Sequence, residues 1–139
     1  MAEILVVADE PTVSAEVAGA LEDGDADVRV VSSGELVRLV AEESVPDLVV
    51  TDMQVGSMGG IAICMDLRLE ESGGRLPHVP VLVLLDRRAD VFLARRSGAE
   101  GWLVKPLNSL RLRQAARALL EGGVYHDDSY QPLPLAAEV

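Results

Sequence analysis

The sequence predicts an α/β fold in which five parallel strands alternate with five helices in a doubly wound sheet. Short apolar runs bounded by turn residues alternate with longer segments whose apolar residues recur at helical spacing. That order is typical of a parallel sheet with right-handed crossovers and helices on both faces. The chain has 139 residues, which is enough for one domain with its own core and too few for two of ordinary size.

The N-terminal half of the chain supplies three of these strands and two of the helices. Pro11 is well placed as the first residue of the first helix, whose apolar residues recur at i, i+4 and i+7 spacing. Ser33 is predicted as the N-cap of the second helix, and the buried stripe of that helix is expected to contain Leu36, Val37, Leu39 and Val40. The predicted strands cover about 3–8, 27–31 and 46–52, and the helices about 11–23 and 34–43.

The C-terminal half supplies two strands and three helices. The run from Val79 to Leu85 is the most apolar in the chain and is consistent with a strand covered on both faces. Pro80 fits near the start of that strand, and Gly98 is a normal C-cap for the fourth helix. The predicted strands cover about 79–85 and 101–104, and the helices about 61–72, 89–97 and 108–121.

Charged residues collect where the predicted strands end. Asp9 and Glu10 follow the first strand, and Asp52 ends the third. Asp86 and Lys105 follow the fourth and fifth strands. Because open α/β sheets place their sites at the carboxyl ends of the strands, these side chains are expected to meet in one site. Lys105 is the only lysine among 12 basic residues, and its compact ammonium suits contact with a moving anionic group. The alternative is a surface lysine that precedes a turn.

The charge balance limits the classes of partner. The chain holds 23 acidic and 12 basic residues, a formal net charge of −11, and a field of that sign repels nucleic-acid backbones and anionic membranes. Direct DNA binding is therefore not expected. No apolar run approaches the roughly 20 residues of a membrane span, no secretory signal is recognisable, and the single cysteine, Cys64, suits a reducing compartment. A soluble, cytoplasmic protein is predicted.

Five sequence segments in a fixed order identify a family. They are 4–11, 46–52, 58–60, 80–82 and 97–106, which contain respectively Asp9-Glu10-Pro11, Asp52, Met58-Gly59-Gly60, Pro80-Val81-Leu82 and Lys105-Pro106. With these segments the chain resembles a receiver domain of the bacterial response-regulator superfamily over about residues 2–121. The resemblance implies a flavodoxin-like sheet of strand order 2-1-3-4-5, a receiver domain over 1–121 and a role in two-component, phosphorelay signal transduction.

The resemblance also implies roles for the residues at the predicted edge of the sheet. Asp52 is implied to be the phosphoacceptor, which takes a phosphoryl group from the histidine of a partner kinase, and Lys105 to contact the phosphoryl oxygens. Attack of a carboxylate on an anionic phosphoryl group needs a divalent cation and a nearby ammonium. Mg²⁺ is implied to bind Asp9, Asp52 and the backbone carbonyl of Gln54, with Glu10 as a partial substitute for a missing ligand. The bond between Lys105 and the following proline is implied to be cis.

Four positions depart from the family pattern, and the first three are Ala8, Leu85 and Gly56. Ala8 replaces the first acidic residue after the first strand, which is expected to weaken the metal site. Leu85 replaces the Ser or Thr whose hydroxyl donates a hydrogen bond to the new phosphoryl group, so the standard switch is expected to be impaired. Gly56 replaces a proline, and with Gly59 and Gly60 nearby it is expected to make the loop more mobile than usual.

A fourth departure is Asp86, which lies where receivers usually have a small residue. Asp86 adds bulk and negative charge beside Asp52. We expect its carboxylate to pair with either Lys105 or Arg87 and to occupy the place of a phosphoryl group. The site would then be closed to a phosphodonor.

Basic residues are concentrated late in the chain. Residues 1–74 hold 16 acidic and 3 basic side chains, whereas residues 86–117 hold 3 acidic and 8 basic ones. One interpretation is a solvated face, and the other is a surface that docks an acidic protein, because receivers commonly bind targets there. Trp102 lies where receivers place an aromatic residue that tracks activation, and an ordinary strand residue is the alternative. The arginines of this face are Arg87, Arg88, Arg95, Arg96, Arg111, Arg113 and Arg117.

The tail, residues 122–139, lies outside the receiver pattern. Its aromatic and proline residues are Tyr125, Tyr130, Pro132 and Pro134. A flexible terminus is the simpler expectation. Aromatic and Pro-Leu residues also suit a peptide that becomes ordered in the groove of a partner protein.

Two functions remain open from the sequence. The first is a stand-alone, atypical receiver that signals by protein contacts and uses Asp52 as phosphoacceptor. The second is a pseudo-receiver that docks, without phosphorylation, as an accessory subunit of a larger assembly; a respiratory NADH dehydrogenase is one such assembly, although no motif here specifies it. An aspartyl-phosphate hydrolase would need a second aspartate at the position of Gln54. With no P-loop, dinucleotide fingerprint, nucleophile triad or metal cluster, an enzyme is not expected.

Overall fold

The computed structural model describes residues 2–22, 26–56 and 58–127. Within these ranges the chain forms six strands and five helices. The strands are β1 (Ala2–Val7), β2 (Ala26–Val31), β3 (Leu48–Asp52), β4 (Val81–Leu85), β5 (Gly101–Val104) and β6 (Tyr125–His126). The helices are α1 (Pro11–Leu21), α2 (Leu36–Glu43), α3 (Gly60–Ser72), α4 (Val91–Ser97) and α5 (Ser109–Leu120), and a short 3-10 turn, Arg88–Asp90, precedes α4. None of these helices is long and apolar enough to cross a bilayer.

All six strands run parallel in one sheet of order β2-β1-β3-β4-β5-β6. Side chains alternate across the sheet, so that Leu5 and Val7 of β1 lie in one core, while Ile4 and Val6 lie in the other. Helices α2, α3 and α4 cover the first core, and α1 and α5 cover the second. Every residue of the central strands β3 and β4 is buried, as their continuous apolar runs require. The predicted doubly wound, flavodoxin-like fold is confirmed.

The structure adds a sixth strand that the sequence did not predict. After α5 the chain turns at Gly122, whose φ of +87° is a conformation that favours glycine. It then returns alongside β5, where Tyr125 pairs with Gly101 and His126 with Trp102. A two-residue strand is too short to leave a periodic pattern in the sequence. The first residues of the predicted tail are therefore part of the sheet, whereas Tyr130, Pro132 and Pro134 lie outside the described residues.

The sequence predicted the end of α4 correctly and the start of α2 wrongly. Gly98 ends α4 in the left-handed conformation, as predicted. The N-cap prediction at Ser33 is wrong, because α2 begins only after Glu35, whose backbone is already helical. The predicted buried stripe of α2 is correct for Val37, which is 2% exposed, and for Val40, which packs against the core, but it is wrong for Leu36 and Leu39, which are 42% and 59% exposed.

Candidate functional site

The carboxyl ends of the strands form the edge of the sheet where the predicted site residues meet. Asp52 is the last residue of β3, and its side chain is 3% exposed. The backbone around it is closely packed, because a Cβ added at Gly60 would lie 2.7 Å from the Asp52 carbonyl oxygen. Small residues after β3 therefore allow α3 to begin directly against the end of this strand. The acceptor position predicted from the sequence is a nearly buried carboxylate.

Lys105 connects two carboxylates at this edge. Its Nζ lies 2.9 Å from Oδ1 of Asp52 and 2.9 Å from Oδ1 of Asp86. The bond between Lys105 and Pro106 is cis. Burial alone would lower the pKa of the Lys105 ammonium, but the hydrogen bonds from Lys105 to Asp52 and Asp86 outweigh burial and raise that pKa above its ordinary value. Lys105 is therefore a fixed cation with two of its three donors engaged.

Asp86 pairs with Lys105 rather than with Arg87. The Arg87 guanidinium instead contacts Asp90, with Nη2 and Oδ1 3.0 Å apart. The Asp86 side chain is 39% exposed, so it lies at the open side of the site while Asp52 lies at its base. Beside them is a surface depression of about 350 Å³ whose walls include Asp86, Lys105 and Pro106. Asp86 and Lys105 thus line this depression, whereas the nearly buried Asp52 does not.

The loop after β3 contacts Asp9 through a backbone donor. Gly56 donates its N–H to Oδ2 of Asp9 over 2.7 Å. A proline, the residue usual in the family, has no N–H and could not make this bond. The departure at Gly56 thus supplies a donor to one of the predicted metal ligands, a contact that no pattern in the sequence predicts.

The oxygen ligands that are present fit Mg²⁺, but two of their oxygens already accept hydrogen bonds within the chain. Mg²⁺ commonly binds through one or two carboxylates together with water and phosphate oxygens, and Asp9, Asp52 and the Gln54 carbonyl belong to that class. One oxygen of Asp9 is engaged by Gly56 and one oxygen of Asp52 by Lys105. Across the described ranges, no three His, Cys, Asp or Glu side chains group closely enough to hold a metal ion. Glu10 is exposed at the start of α1.

Restoring a carboxylate at position 8 is expected to strengthen metal binding. Ala8 is 3% exposed and directly precedes Asp9 at the end of β1. We expect Ala8→Asp to tighten Mg²⁺ binding by about tenfold or more, the usual effect of a group that supports metal ligands. Isothermal titration calorimetry measures the affinity, with Ala62→Asp on the exposed surface of α3 as a control of equal charge. Equal affinities in the two variants would contradict the placement of the ion at Asp9.

Leu85 is part of the core. Its side chain cannot make the contact with a phosphoryl group that a hydroxyl would make. Its side chain is fully buried in the core cluster that also contains Val83, Ala94 and Trp102. Leucine has no donor for a phosphoryl oxygen. The backbone of Leu85 does serve the site, because its carbonyl accepts the N–H of Lys105 over 2.8 Å.

Trp102 is buried on β5, beside the added strand β6. It is 1% exposed, and its ring stacks on His126 with centroids 4.2 Å apart and planes 4° from parallel. The Arg95 guanidinium lies 5.3 Å from the centre of the Trp102 ring. Trp102 is thus a buried core residue in this structure. No pattern in the sequence predicts that His126 or its neighbour Asp127 packs beside it.

Several arginines of the predicted face make contacts within the chain. Arg88 donates to the backbone carbonyl of Asp127, and Arg111 forms an ion pair with the Asp127 carboxylate. Burial alone would lower the pKa of Arg111, but its hydrogen bond to Asp127 outweighs burial and raises that pKa. Arg96 lies over the ring of Phe92, which is 61% exposed. The residues of the face with open side chains are Arg87, Arg95, Arg96 and Arg117, and Arg113 is half-buried.

Comparison with known proteins points to one family. The model of the response regulator receiver domain matches residues 4–117. The DNA-binding dual master transcriptional regulator RpaA of Synechocystis sp. is 32% identical over 122 residues, which cover 86% of this chain and 49% of RpaA. The DNA-binding response regulator MtrA of Mycolicibacterium smegmatis is 31% identical over 119 residues, which cover 84% of this chain and 50% of MtrA. The chain spans about half the length of these curated relatives.

Solved structures show the same fold. The signal receiver domain of a signal transduction histidine kinase from Syntrophus aciditrophicus superposes with a TM-score of 0.77 at 26% identity, covering 98% of this chain and 99% of that one. The BeF3-activated N-terminal receiver domain of Klebsiella pneumoniae RstA gives a TM-score of 0.73 at 29% identity, covering 85% and 97%.

Proposed function

Because the chain belongs to the response regulator receiver domain family, we propose that it is an atypical receiver of two-component signalling in which Asp52 is the phosphoacceptor. The observation that carries this proposal is the contact of Lys105 Nζ with Asp52 Oδ1 over 2.9 Å, at the carboxyl edge of the sheet. A buried carboxylate beside a fixed ammonium is suited to nucleophilic attack on a phosphoryl group.

In the proposed reaction an Asp52 carboxylate oxygen attacks the phosphorus of a phosphohistidine on a partner kinase. The new O–P bond forms as the P–N bond breaks, and the imidazole leaves with the electron pair and is protonated. Lys105 neutralises charge on the phosphoryl oxygens. Bound Mg²⁺, held by Asp9, Asp52 and the Gln54 carbonyl, would add positive charge at the same oxygens.

Asp86 and Leu85 are proposed to make this receiver slow and its switch unusual. An incoming phosphoryl group needs the Lys105 ammonium, which Asp86 already holds at 2.9 Å. Once phosphorylated, Asp52 has no hydroxyl at position 85 to draw the β4–α4 loop inward. Displacement of Asp86 from Lys105 is the change that phosphorylation would bring instead.

A second candidate is a pseudo-receiver that docks without phosphorylation as an accessory subunit of a larger assembly. It is favoured by the same bridge, because the Asp86 carboxylate already provides an anion at Lys105. The exposed Phe92 and the open arginines of α4 would then bind an acidic, partly apolar protein in the resting state. In both candidates the partner is a protein.

Phosphorylation of Asp52 is directly testable. Incubation of the protein with Mg²⁺ and a small phosphoryl donor, followed by intact-mass measurement, is expected to show slow addition of a single phosphoryl group. Asp52→Asn removes the nucleophile and is expected to abolish the addition. Asp27→Asn, an exposed position on β2, is the control of equal charge and is expected to label like the wild type. Labelling of Asp52→Asn at the wild-type rate would exclude Asp52 as acceptor, and no labelling of any variant would favour the docking subunit.

A further inference from the structure

We propose that Asp127, which directly follows the added strand β6, is a positioning residue that fixes Lys105 in the acceptor site. The inference rests on the proposed function in that it concerns the same site, and it assigns part of that site to a segment after the receiver pattern. It is carried by three contacts of Asp127, which reach both sides of the Lys105–Asp86 bridge.

The first contact is with β5. Val104 donates its backbone N–H to Oδ2 of Asp127 over 2.8 Å. The Asp127 side chain is fully buried, and in the second contact its other oxygen, Oδ1, lies 2.5 Å from Nη2 of Arg111 on α5. A buried carboxylate with a backbone donor on one oxygen and a guanidinium on the other is held in a single orientation. Asp127 thus takes the place that a strand carbonyl would have beside the end of β5.

The contact with Val104 means that the end of β5 is held from both sides. The Lys105 N–H donates to the Leu85 carbonyl of β4, and the Val104 N–H donates in the opposite direction, to Asp127. Successive N–H groups of a strand point to opposite sides, so the end of β5 needs one partner on each side to be fully held. The Asp127 N–H also donates to the Trp102 carbonyl over 3.2 Å. Without the Asp127 carboxylate, the end of β5 beyond Trp102 is anchored on the β4 side alone, at the point where the Lys105 side chain begins.

The third contact is with the loop that carries Asp86. Arg88 donates Nη1 to the backbone carbonyl of Asp127 over 3.2 Å. Arg88 lies two residues after Asp86, in the segment between β4 and α4. One residue therefore holds the strand end that presents the ammonium and the loop that presents its second carboxylate. His126, stacked on Trp102, places Asp127 at this position.

The test uses Lys105 and Trp102 as site-specific probes, because each is the only residue of its type in the chain. Selective labelling of lysine with ¹⁵N and ¹³C gives signals from one side chain only, and its Cε–Hε NMR signal reports Lys105 in the full-length protein. The Trp102 indole signal reports the packing of β6. Neither measurement requires phosphorylation, so its result is independent of whether Asp52 ever accepts a phosphoryl group.

Asp127→Ala is expected to move the Lys105 signal most of the way to its position in the denatured protein and to shift the Trp102 signal. Asp127→Asn keeps an oxygen acceptor for the Val104 N–H and is expected to retain the wild-type Lys105 signal. Arg88→Gln, a milder change at the partly exposed rim, is expected to shift the Lys105 signal and leave the Trp102 signal in place. A shifted Trp102 signal with an unchanged Lys105 signal in Asp127→Ala would overturn the proposal. If that variant does not fold, an unchanged Lys105 signal in Arg88→Gln overturns it.

Discussion

Asp86→Ala is expected to increase the rate at which a small donor phosphorylates Asp52 by about tenfold. The variant removes the carboxylate that holds Lys105 and frees the ammonium for the phosphoryl oxygens. It also removes a negative charge beside the incoming anion. Like charges about 4 Å apart repel by up to about 4 kcal/mol near a protein surface. Because the Asp86 side chain is 39% exposed, solvent screens much of this repulsion. About 1.4 kcal/mol of the barrier, or a factor of ten in rate, is a fair expectation.

The comparison is a time course of intact mass for wild type, Asp86→Ala and Asp27→Ala. The last variant makes the same change in net charge on the far side of the sheet, and is expected to label at the wild-type rate. The double variant Asp86→Ala/Asp52→Asn shows whether the gain occurs at Asp52. An unchanged rate in Asp86→Ala would mean that the bridge to Lys105 does not limit access to the acceptor.

The features of the site that follow from strand ends could be predicted from the sequence. Asp52 and Lys105 end or follow buried parallel strands, and the topology brings such positions together whatever the surrounding loops do. The sequence also placed Asp86 beside Lys105, but it could not choose between Lys105 and Arg87 as its partner. That choice depends on the 3-10 turn after β4, which gives Arg87 a nearer partner in Asp90.

The features that the sequence missed depend on contacts between distant parts of the chain. The Gly56 N–H reaches Asp9 across 47 positions, and Asp127 reaches Val104 across 23. A glycine in a loop and an aspartate in a predicted tail carry no periodic signal for such contacts.

The largest expected loss of stability is that of Lys105→Met. This variant leaves the Asp52 carboxylate, which is 3% exposed, without its ammonium in the interior of the protein. Removal of one partner from a buried ion pair typically costs about 3–5 kcal/mol, because the remaining charge is buried without compensation. The exposure of the Lys105 side chain, 23%, argues for the lower end of that range. At about 3 °C per kcal/mol, the melting temperature should fall by roughly 10 °C.

A double-mutant cycle separates this ion pair from other effects of the substitution. Asp52→Asn removes the charge that Lys105→Met leaves uncompensated, so the double variant is expected to be more stable than Lys105→Met alone. Arg117→Met, at an exposed position of α5, is the matched control for loss of a cation and should change the melting temperature little. Equal losses in Lys105→Met and Arg117→Met would show that Asp52 does not depend on its ammonium. Recovery in the double variant would instead show that the loss in Lys105→Met comes from the uncompensated Asp52 carboxylate, which Lys105 neutralises in the wild type even in the absence of phosphorylation.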